Sequence, residues 1–354
     1  MRNRLRKVFT WLNVIVVVFT LLAYYAPGVS PTSFWPLTLI GTSYPWLLLL
    51  NLVCIGFWIF LRKWHFLISA LTLLIGWSHL TAFVGMHPFS TNTADQPTAL
   101  KIMTFNAGAF YFLYKANPKK IAKPFFEFLK EEQPDIACFQ EFTYRGSQFE
   151  DRKDSLKVWG GFKYFKFSTN KQMIIASKYP IVESGFLKFD RSNNGALYAD
   201  IAVSDATIRV YNLHLQSNQI TPQAEKLAET GDLQEKETWL EIGSILNKNR
   251  TASKKRADQA DEVRQHMDKS PYQVMVCGDF NDTPNTYTYA KIAEGKMDSF
   301  KQGGFGIGTT YAGRIPALRI DYILSEFGKG FVNTKVHRKK FSDHYPVTAV
   351  LMTE

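Results

Sequence analysis

Three long runs free of charge lie near the start of this 354-residue chain: Val8 to Ala26 (19 residues), Tyr44 to Leu61 (18) and Trp64 to Met86 (23). About 20 apolar residues of helix cross the hydrocarbon core of a bilayer, so each run is long enough to span one. No other feature restricts the fold as much, because a lipid-exposed helix adds nothing to a water-soluble core. The chain is therefore expected to divide into a membrane anchor of three transmembrane helices at 1–88, a polar linker at 89–98 and a soluble module at 99–354. The first run also has the basic start and the Ala23 to Ala26 stretch of a cleaved signal peptide. It exceeds the roughly 7 to 15 apolar residues of such signals, and two more runs follow it.

Charge sets the expected orientation. Residues 1–96 hold six cations (Arg2, Arg4, Arg6, Lys7, Arg62, Lys63) and one acid, Asp95. Lys and Arg beside short loops stay cytoplasmic, so the basic N-terminus and the Arg62-Lys63 turn lie inside, and the uncharged Pro27 to Ser43 segment lies outside. Three crossings put everything after Met86 outside the cytoplasm. The expected location is a bacterial inner membrane, with the soluble module facing the periplasm. In the third run His65 reads as interfacial, and His79 as a hydrogen-bond partner for another helix.

Of 42 basic and 31 acidic residues, six and one precede residue 97, leaving 36 and 30 and a net charge near +6 on the remainder. That balance favours an anionic partner, nucleic acid or an anionic lipid surface, without choosing between them. The dense run Lys248 to Arg256 falls in a helical stretch and reads as a solvated face. Cys54, Cys138 and Cys277 sit in apolar runs with neither disulfide nor zinc spacing.

Beyond Leu100, short apolar runs bounded by turn residues alternate with helical patterns, which suits an α/β fold of two packed sheets flanked by helices. Asn117-Pro118 opens a helix to about Glu132, with Asn117 as its cap and Phe125, Phe128 and Leu129 inward. Phe162 to Ser168, Gln172 to Ser177, Ile181 to Lys188 and Ala196 to Val203 read as strands. Gln219 to Ser270 is polar with helical spacing, and Ala257 to Met267 should pack on a sheet.

Several strand-like runs end in polar residues. Val274 to Pro284 (Val-Met-Val-Cys-Gly-Asp-Phe-Asn-Asp-Thr-Pro) is a buried strand that Gly278 breaks toward a loop. Asp279 and Asn281, two apart, point to one side of an extended backbone, although the same residues also suit a turn. Leu100 to Asn106 ends at Asn106, and Asp135 to Glu141 ends at Glu141. Ile208 to Leu215 places Asn212 and His214 on one face, and Arg319-Ile320-Asp321-Tyr322 and Ser342-Asp343-His344-Tyr345-Pro346 follow near the end. Glu141 is the best metal-ligand candidate, an acid held at the tip of an apolar strand. An oxygen-only donor set suits Mg²⁺, with Mn²⁺ as a substitute, and not zinc.

This set and its order resemble the endonuclease/exonuclease/phosphatase superfamily, which includes a deoxyribonuclease, abasic-site endonucleases, neutral sphingomyelinases and inositol-phosphate phosphatases. The resemblance runs from about Leu100 to Met352 and rests on six short motifs in the family's order. It implies a four-layer α/β/β/α sandwich of two mixed, largely antiparallel sheets. It further implies that Asn106 fixes the Glu141 carboxylate or a metal-bound water and that Asp343 completes the metal shell. Asp321 orients His344, His214 donates to phosphoryl oxygens, Asp279 activates or positions the attacking water, and Asn281 holds a phosphate oxygen. Either Asp279 or His344 serves as the base.

The reaction so implied is in-line hydrolysis of a P–O bond without a covalent enzyme intermediate. Three membrane spans make a lipid headgroup or lipid-linked phosphodiester the favoured substrate class, with the bilayer itself as a partner. Gly303 to Pro316 and Phe162 to Phe167 are candidates for a lipid-touching rim, or else a loop and an ordinary strand. The competing enzyme is an extracytoplasmic nuclease, which predicts a basic groove with stacking aromatics. The non-enzymatic alternative, an inactive membrane scaffold, is opposed by the full set Glu141, His214, Asp279, Asn281, Asp321 and His344. Sequence leaves the oligomeric state open.

Overall fold

A computed structural model describes residues 2–88, 99–110, 122–143, 149–190, 192, 194–218, 223, 227, 231–232, 234–313 and 315–353. The expected linker at 89–98 and the expected cap Asn117 lie outside the described residues.

The N-terminal region departs from three spans. It holds helices α1 (Arg2–Tyr25), α2 (Pro31–Phe34), α3 (Pro36–Thr42), α4 (Tyr44–Phe60), α5 (Phe66–Ile75) and α6 (Trp77–Thr81), then strand β1 (Val84–Met86). Among the described residues one helix, running Arg6–Gly28 with mean hydropathy 2.0, is long and apolar enough to cross a membrane. The pair α3 and α4 reaches that length only across a 58° bend. The third expected span fails for a physical reason: α5 is ten residues, about 15 Å of helix, and the run turns at Gly76 into α6. Its last residues then become a strand that finds main-chain partners in the soluble module.

The helices form one packed group. Asn13 Nδ2 donates to Ser69 Oγ at 2.7 Å, Trp58 Nε1 to Asn13 Oδ1 at 3.0 Å, and Asn51 Nδ2 to Thr20 Oγ1 at 2.8 Å, so buried amides tie α1 to α4 and α5. These bonds give the buried N–H groups of Asn13, Asn51 and Trp58 partners inside the helix group, which their burial requires.

In the soluble module the order is β2 (Ala99–Asn106), α7 (Lys123–Glu132), β3 (Ile136–Gln140), α8 (Phe149–Gly160), β4 (Tyr164–Phe167), β5 (Ile174–Ser177), β6 (Ile181–Lys188), β7 (Gly195–Val203), β8 (Ala206–His214) and α9 (Lys236–Met267). Then come β9 (Gln273–Asp279), α10 (Tyr287–Ala293), β10 (Met297–Asp298), α11 (Ser299–Gly303), β11 (Phe305–Ile307), β12 (Asp321–Ser325), β13 (Gly330–Val336) and β14 (Val347–Met352). One six-stranded sheet runs β10-β12-β9-β8-β7-β6 and the other β13-β14-β2-β3-β5-β4. The pairs β2/β3 and β8/β9 are parallel and the remaining pairs antiparallel, so both sheets are mixed.

Ile102, Cys138 and Val347 from one sheet meet Leu197, Met275 and Ile323 from the other in a central core. On the outer face of the β13-β14-β2-β3-β5-β4 sheet, Phe125, Phe128 and Leu129 of α7 and Leu156 of α8 cover β2 and β3. On the opposite outside, Ala260, Val263 and Met267 of α9 cover β8 and β9. Strands sandwiched this way are buried on both faces, which is why they read as nearly unbroken apolar runs. The result is an α/β fold in four layers. Four strands, β2, β3, β8 and β9, end at one rim, and β12 and β14, antiparallel to them, begin there.

Candidate active site

Each polar tip owes its place to strand register. His214 is opposite Asp279, and Asp279 is opposite Asp321, across β8, β9 and β12. Asp321 therefore opens β12 where sequence put it near the end of a short run. Gly278 lies inside β9 and does not break it. It has φ +136°, and a Cβ there would come within 2.1 Å of the Leu213 carbonyl oxygen, so the close approach of β8 explains the glycine.

Across the seam between the sheets, Asn106 Nδ2 lies 2.9 Å from Asp279 Oδ2 and 3.3 Å from Glu141 Oε1. The Asn106 Oδ1 accepts from Gly108 N at 3.1 Å, which fixes the amide orientation. His214 Nε2 faces the same pair, 3.4 Å from Glu141 Oε1 and 3.8 Å from Asp279 Oδ2. Glu141 has φ +46°, directly after β3, and its side chain is 45% exposed. A left-handed residue at a strand tip turns its carboxylate out of the core toward solvent.

His344 Nδ1 sits 2.9 and 3.1 Å from the two Asp321 oxygens, leaving Nε2 3.8 Å from Asp279 Oδ2. Thr310 Oγ1 accepts from Ile320 N and Asp321 N at 2.9 and 3.0 Å. Ser342 Oγ donates to the Asn106 carbonyl at 2.6 Å and accepts from His344 N at 3.0 Å. Asn281, also at φ +53°, donates from Nδ2 to Leu215 O at 3.0 Å and to Asp279 Oδ2 at 3.1 Å. Asp343 is half-buried; a side chain on Gly108 would meet its Oδ1 at 3.2 Å, so it stands over the Asn106–Gly108 turn. All eight candidate residues thus collect at one rim.

Burial is the main reason the Asp279 carboxyl is pushed up to about 6; the Asp321 charge adds to this, while His344, His214 and Asn106 oppose it. Burial works against the charged form of His344, but Asp321 and then Asp279 outweigh it and raise the imidazole well above 6.5. Asp279, Asp321 and His344 offer ligand atoms within 4.8 Å of one another. Because Asp321 already occupies His344 Nδ1, this trio is better suited to holding a proton. The partly exposed Glu141 carboxylate is the oxygen donor at this rim open to a hard cation, and the cysteines stay in the core.

Four positions carry the site without having been given a role in it, although sequence places Asn212 on one face with His214. Gln140 Nε2 donates to Asn212 Oδ1 at 2.6 Å, and Asn212 Nδ2 to Phe139 O and Ile174 O at 2.9 Å, bolting the sheets together beneath the tips. Thr310 and Ser342 orient the Asp321 and His344 backbones. Ser342 adjoins the Asp-His pair and Gln140 adjoins Glu141, which was the available signal.

His79 bonds to Asn285 of the soluble module and not to a neighbouring helix, Nδ1 to Oδ1 at 2.9 Å. Phe162 is buried and Phe165 and Phe167 pack on the core behind α8, which makes that run an ordinary strand. In Gly303 to Pro316, Phe305–Ile307 forms a ribbon with β1.

Two face-packed mixed sheets with carboxylates, amides and imidazoles at one rim define a phosphoesterase-like α/β sandwich. The chain belongs to the Endonuclease/Exonuclease/phosphatase family, whose profile matches residues 103–344. Residues 6–83 match a Domain of unknown function (DUF8431). No curated protein matches the sequence.

Similar solved structures include an endonuclease/exonuclease/phosphatase family protein from Bacteroides thetaiotaomicron, at TM-score 0.52 and 16% identity over 73% of this chain and 99% of that one. D. rerio TDP2 complexed with single strand DNA product aligns at TM-score 0.51 and 17% identity over 72% of this chain and 98% of that one. A functionally unknown conserved protein from Enterococcus faecalis V583 aligns at 0.51 and 14%, over 72% and 100%. At such identities the likeness is one of fold.

Proposed function

We propose that this chain is a membrane-anchored, Mg²⁺-dependent phosphoesterase that hydrolyses a phosphodiester, with a lipid headgroup or lipid-linked phosphodiester as its substrate class. The observation that carries it is the convergence of Glu141, Asn106, Asp279, His214, Asp321 and His344 from both sheets within hydrogen-bond reach. Glu141 and Asp343 would hold the ion, with Asn106 fixing Glu141; Mn²⁺ would substitute. The bound cation supplies neutralisation of phosphoryl charge.

The chain's own groups do the rest. Asp279, desolvated and basic for a carboxylate, positions the water and takes its proton. His214 directs an N–H at phosphoryl oxygens, Asn281, whose Nδ2 donates to Leu215 O and Asp279 Oδ2, steadies the Asp279 carboxylate, and Asp321 holds His344 so that Nε2 faces the reacting centre. A scaffold without catalysis has no use for so dense a set of buried charges, which cost stability.

The lipid reading draws support from the outward faces of α1, α4 and α5, where Trp11, Phe60 and Ile75 are 69, 83 and 77% exposed. Contacts of α10 with the Ala26–Gly28 turn and of α9 with α2 set the soluble module at the α1 end opposite the basic N-terminus. With α1 across a bilayer, that module faces the periplasm of a bacterial inner membrane. The first half of α9 exposes Trp239, Leu240 and Leu246.

The test is turnover by the full chain of a lipid phosphodiester, a phosphomonoester and DNA, with Mg²⁺ and with chelator. Metal-dependent lipid turnover without DNA cleavage is expected. DNA cleavage alone would replace this reading with the nuclease, and inactivity on all three would leave the scaffold.

A further inference from the structure

The soluble module's catalytic loops are seated on the N-terminal region. His79 meets Asn285, four residues after Asn281, and the Asn285 side chain is buried with its Nδ2 otherwise unpartnered. His79 is itself clamped: its ring stacks on Tyr24 at 4.6 Å and 16°. At Gly41 of α3, a Cβ would fall 2.1 Å from the Asn285 carbonyl oxygen, so the helix backbone touches the same loop and admits no side chain.

The contacts continue to the other half of the site. Arg319 Nη1 donates to Ala82 O at 2.9 Å, and Gly308 N donates to Phe83 O at 2.9 Å. Gly308 and Thr310 belong to one loop, and Thr310 receives the Ile320 and Asp321 amides. Tyr322 Oη joins both halves, 2.8 Å from Asp282 O and 2.7 Å from Arg319 O.

We propose that the N-terminal region is part of the catalytic scaffold: His79 and Gly41 seat the 281–286 loop and the Ala82 and Phe83 carbonyls seat Arg319 and Gly308, which fixes Asn281 and Asp321. His79 is then a positioning residue, acting through Asn285. This assigns a role to the segment matched only by a domain of unknown function. The inference rests on the phosphoesterase reading for its kinetic consequence alone.

The experiment uses the full chain in mild detergent and compares wild type with His79→Ala, His79→Asn, Gly41→Ala, Asn285→Ala and the double variant His79→Ala/Asn285→Ala. Amide exchange across 281–286 should rise about tenfold in His79→Ala and Gly41→Ala, as a local opening becomes easier. With the phosphodiester that wild type hydrolyses, kcat should fall about tenfold with KM within twofold, the signature of misplaced groups. His79→Asn, which keeps a donor at the Nδ1 position, should restore both. The double variant should match the worse single one.

Unchanged exchange in both His79→Ala and Gly41→Ala overturns the seating. Raised exchange with unchanged kcat, or failure of His79→Asn to do better than His79→Ala, overturns the positioning role. Should His79→Ala not fold, Asn285→Ala makes the same comparison from the other side of the bond. If wild type turns over no phosphoester, the functional reading fails, and the exchange arm still decides the seating.

Discussion

Asn106 reaches from one sheet to Asp279 on the other at 2.9 Å, and the same amide nitrogen faces Glu141 at 3.3 Å. One side chain therefore sets the spacing of two carboxylates that like-charge repulsion would otherwise spread. Asn106→Ala should lower kcat/KM by about 10² to 10³, the usual effect of losing one preorganised donor. It should also push the Asp279 carboxyl above its native value of about 6, because the Asn106 bond is one of the groups holding it down. Steady-state kinetics and carboxyl NMR titration check the two halves.

Glu141 is the partly exposed tip in this arrangement, so its loss should touch metal binding and spare the fold. Glu141→Gln should weaken Mn²⁺ or Mg²⁺ binding by about 10-fold or more, since one carboxylate is a large part of a hard-cation site. Its thermal midpoint should match wild type. Calorimetric titration and a melt suffice, and unaltered affinity would remove Glu141 from the metal shell.

His344 provides a second readout without substrate. In chelator-treated protein its imidazole should titrate well above 6.5, against the effect of burial and because of Asp321 first and Asp279 second. Asp321→Asn should lower it more than Asp279→Asn. The native value is raised, so the charge stabilises the fold fully below the unfolded value of about 6.5, and that contribution is lost as pH rises through the native value. Histidine NMR in the three proteins gives the order directly.

The strand tips were legible because a sheet buried on both faces writes its strands as apolar runs, and the first polar residue after such a run has to sit at an edge. Ile181–Lys188 matches its expected bounds, and Asn106, Glu141 and Asp279 fall within a residue of theirs. The third span misled because hydropathy counts residues in a run and ignores what they touch. Ala82 and Phe83 are buried among Ala23, Tyr44 and Leu48 of the N-terminal helices while their carbonyls accept from Arg319 and Gly308, and Val84–Met86 pairs with β11. Nothing local marks that exchange of lipid for protein. Partners far apart in sequence, such as His79 with Asn285, were equally hidden.

Arg319, two residues before Asp321, forms a buried ion pair with Asp298, which also receives the Tyr289 hydroxyl at 2.6 Å and Phe300 N at 2.9 Å. Burial alone would raise the Asp298 carboxyl, but Arg319 outweighs it and holds it below its usual 3.8. Asp298→Asn should destabilise the chain by about 3 kcal/mol, as an uncompensated buried cation does. The native value is depressed, so the contribution is present above about pH 3.9 and lost as pH falls through the native value. Denaturant melts of wild type should therefore lose stability below pH 4 more steeply than melts of Asp298→Asn.

The lipid reading makes a demand on α9 that the fold alone does not. Trp239, Leu240 and Leu246 are exposed on the N-terminal half of that helix, far along the chain from every catalytic tip. Exposed aromatic and leucine side chains with Lys236 and Lys248 on the same segment are the makings of an interfacial helix. Trp239→Ser/Leu240→Ser/Leu246→Ser should therefore reduce turnover of a phosphodiester lipid in anionic vesicles, by about tenfold if each lost side chain removes a few tenths of a kcal/mol or more of interfacial burial. Turnover of a short-chain soluble analogue should be unchanged, since the rim at Glu141 and His344 is intact. Equal loss on both substrates would mean that α9 supports the fold, and equal retention would mean that the substrate does not arrive from a membrane.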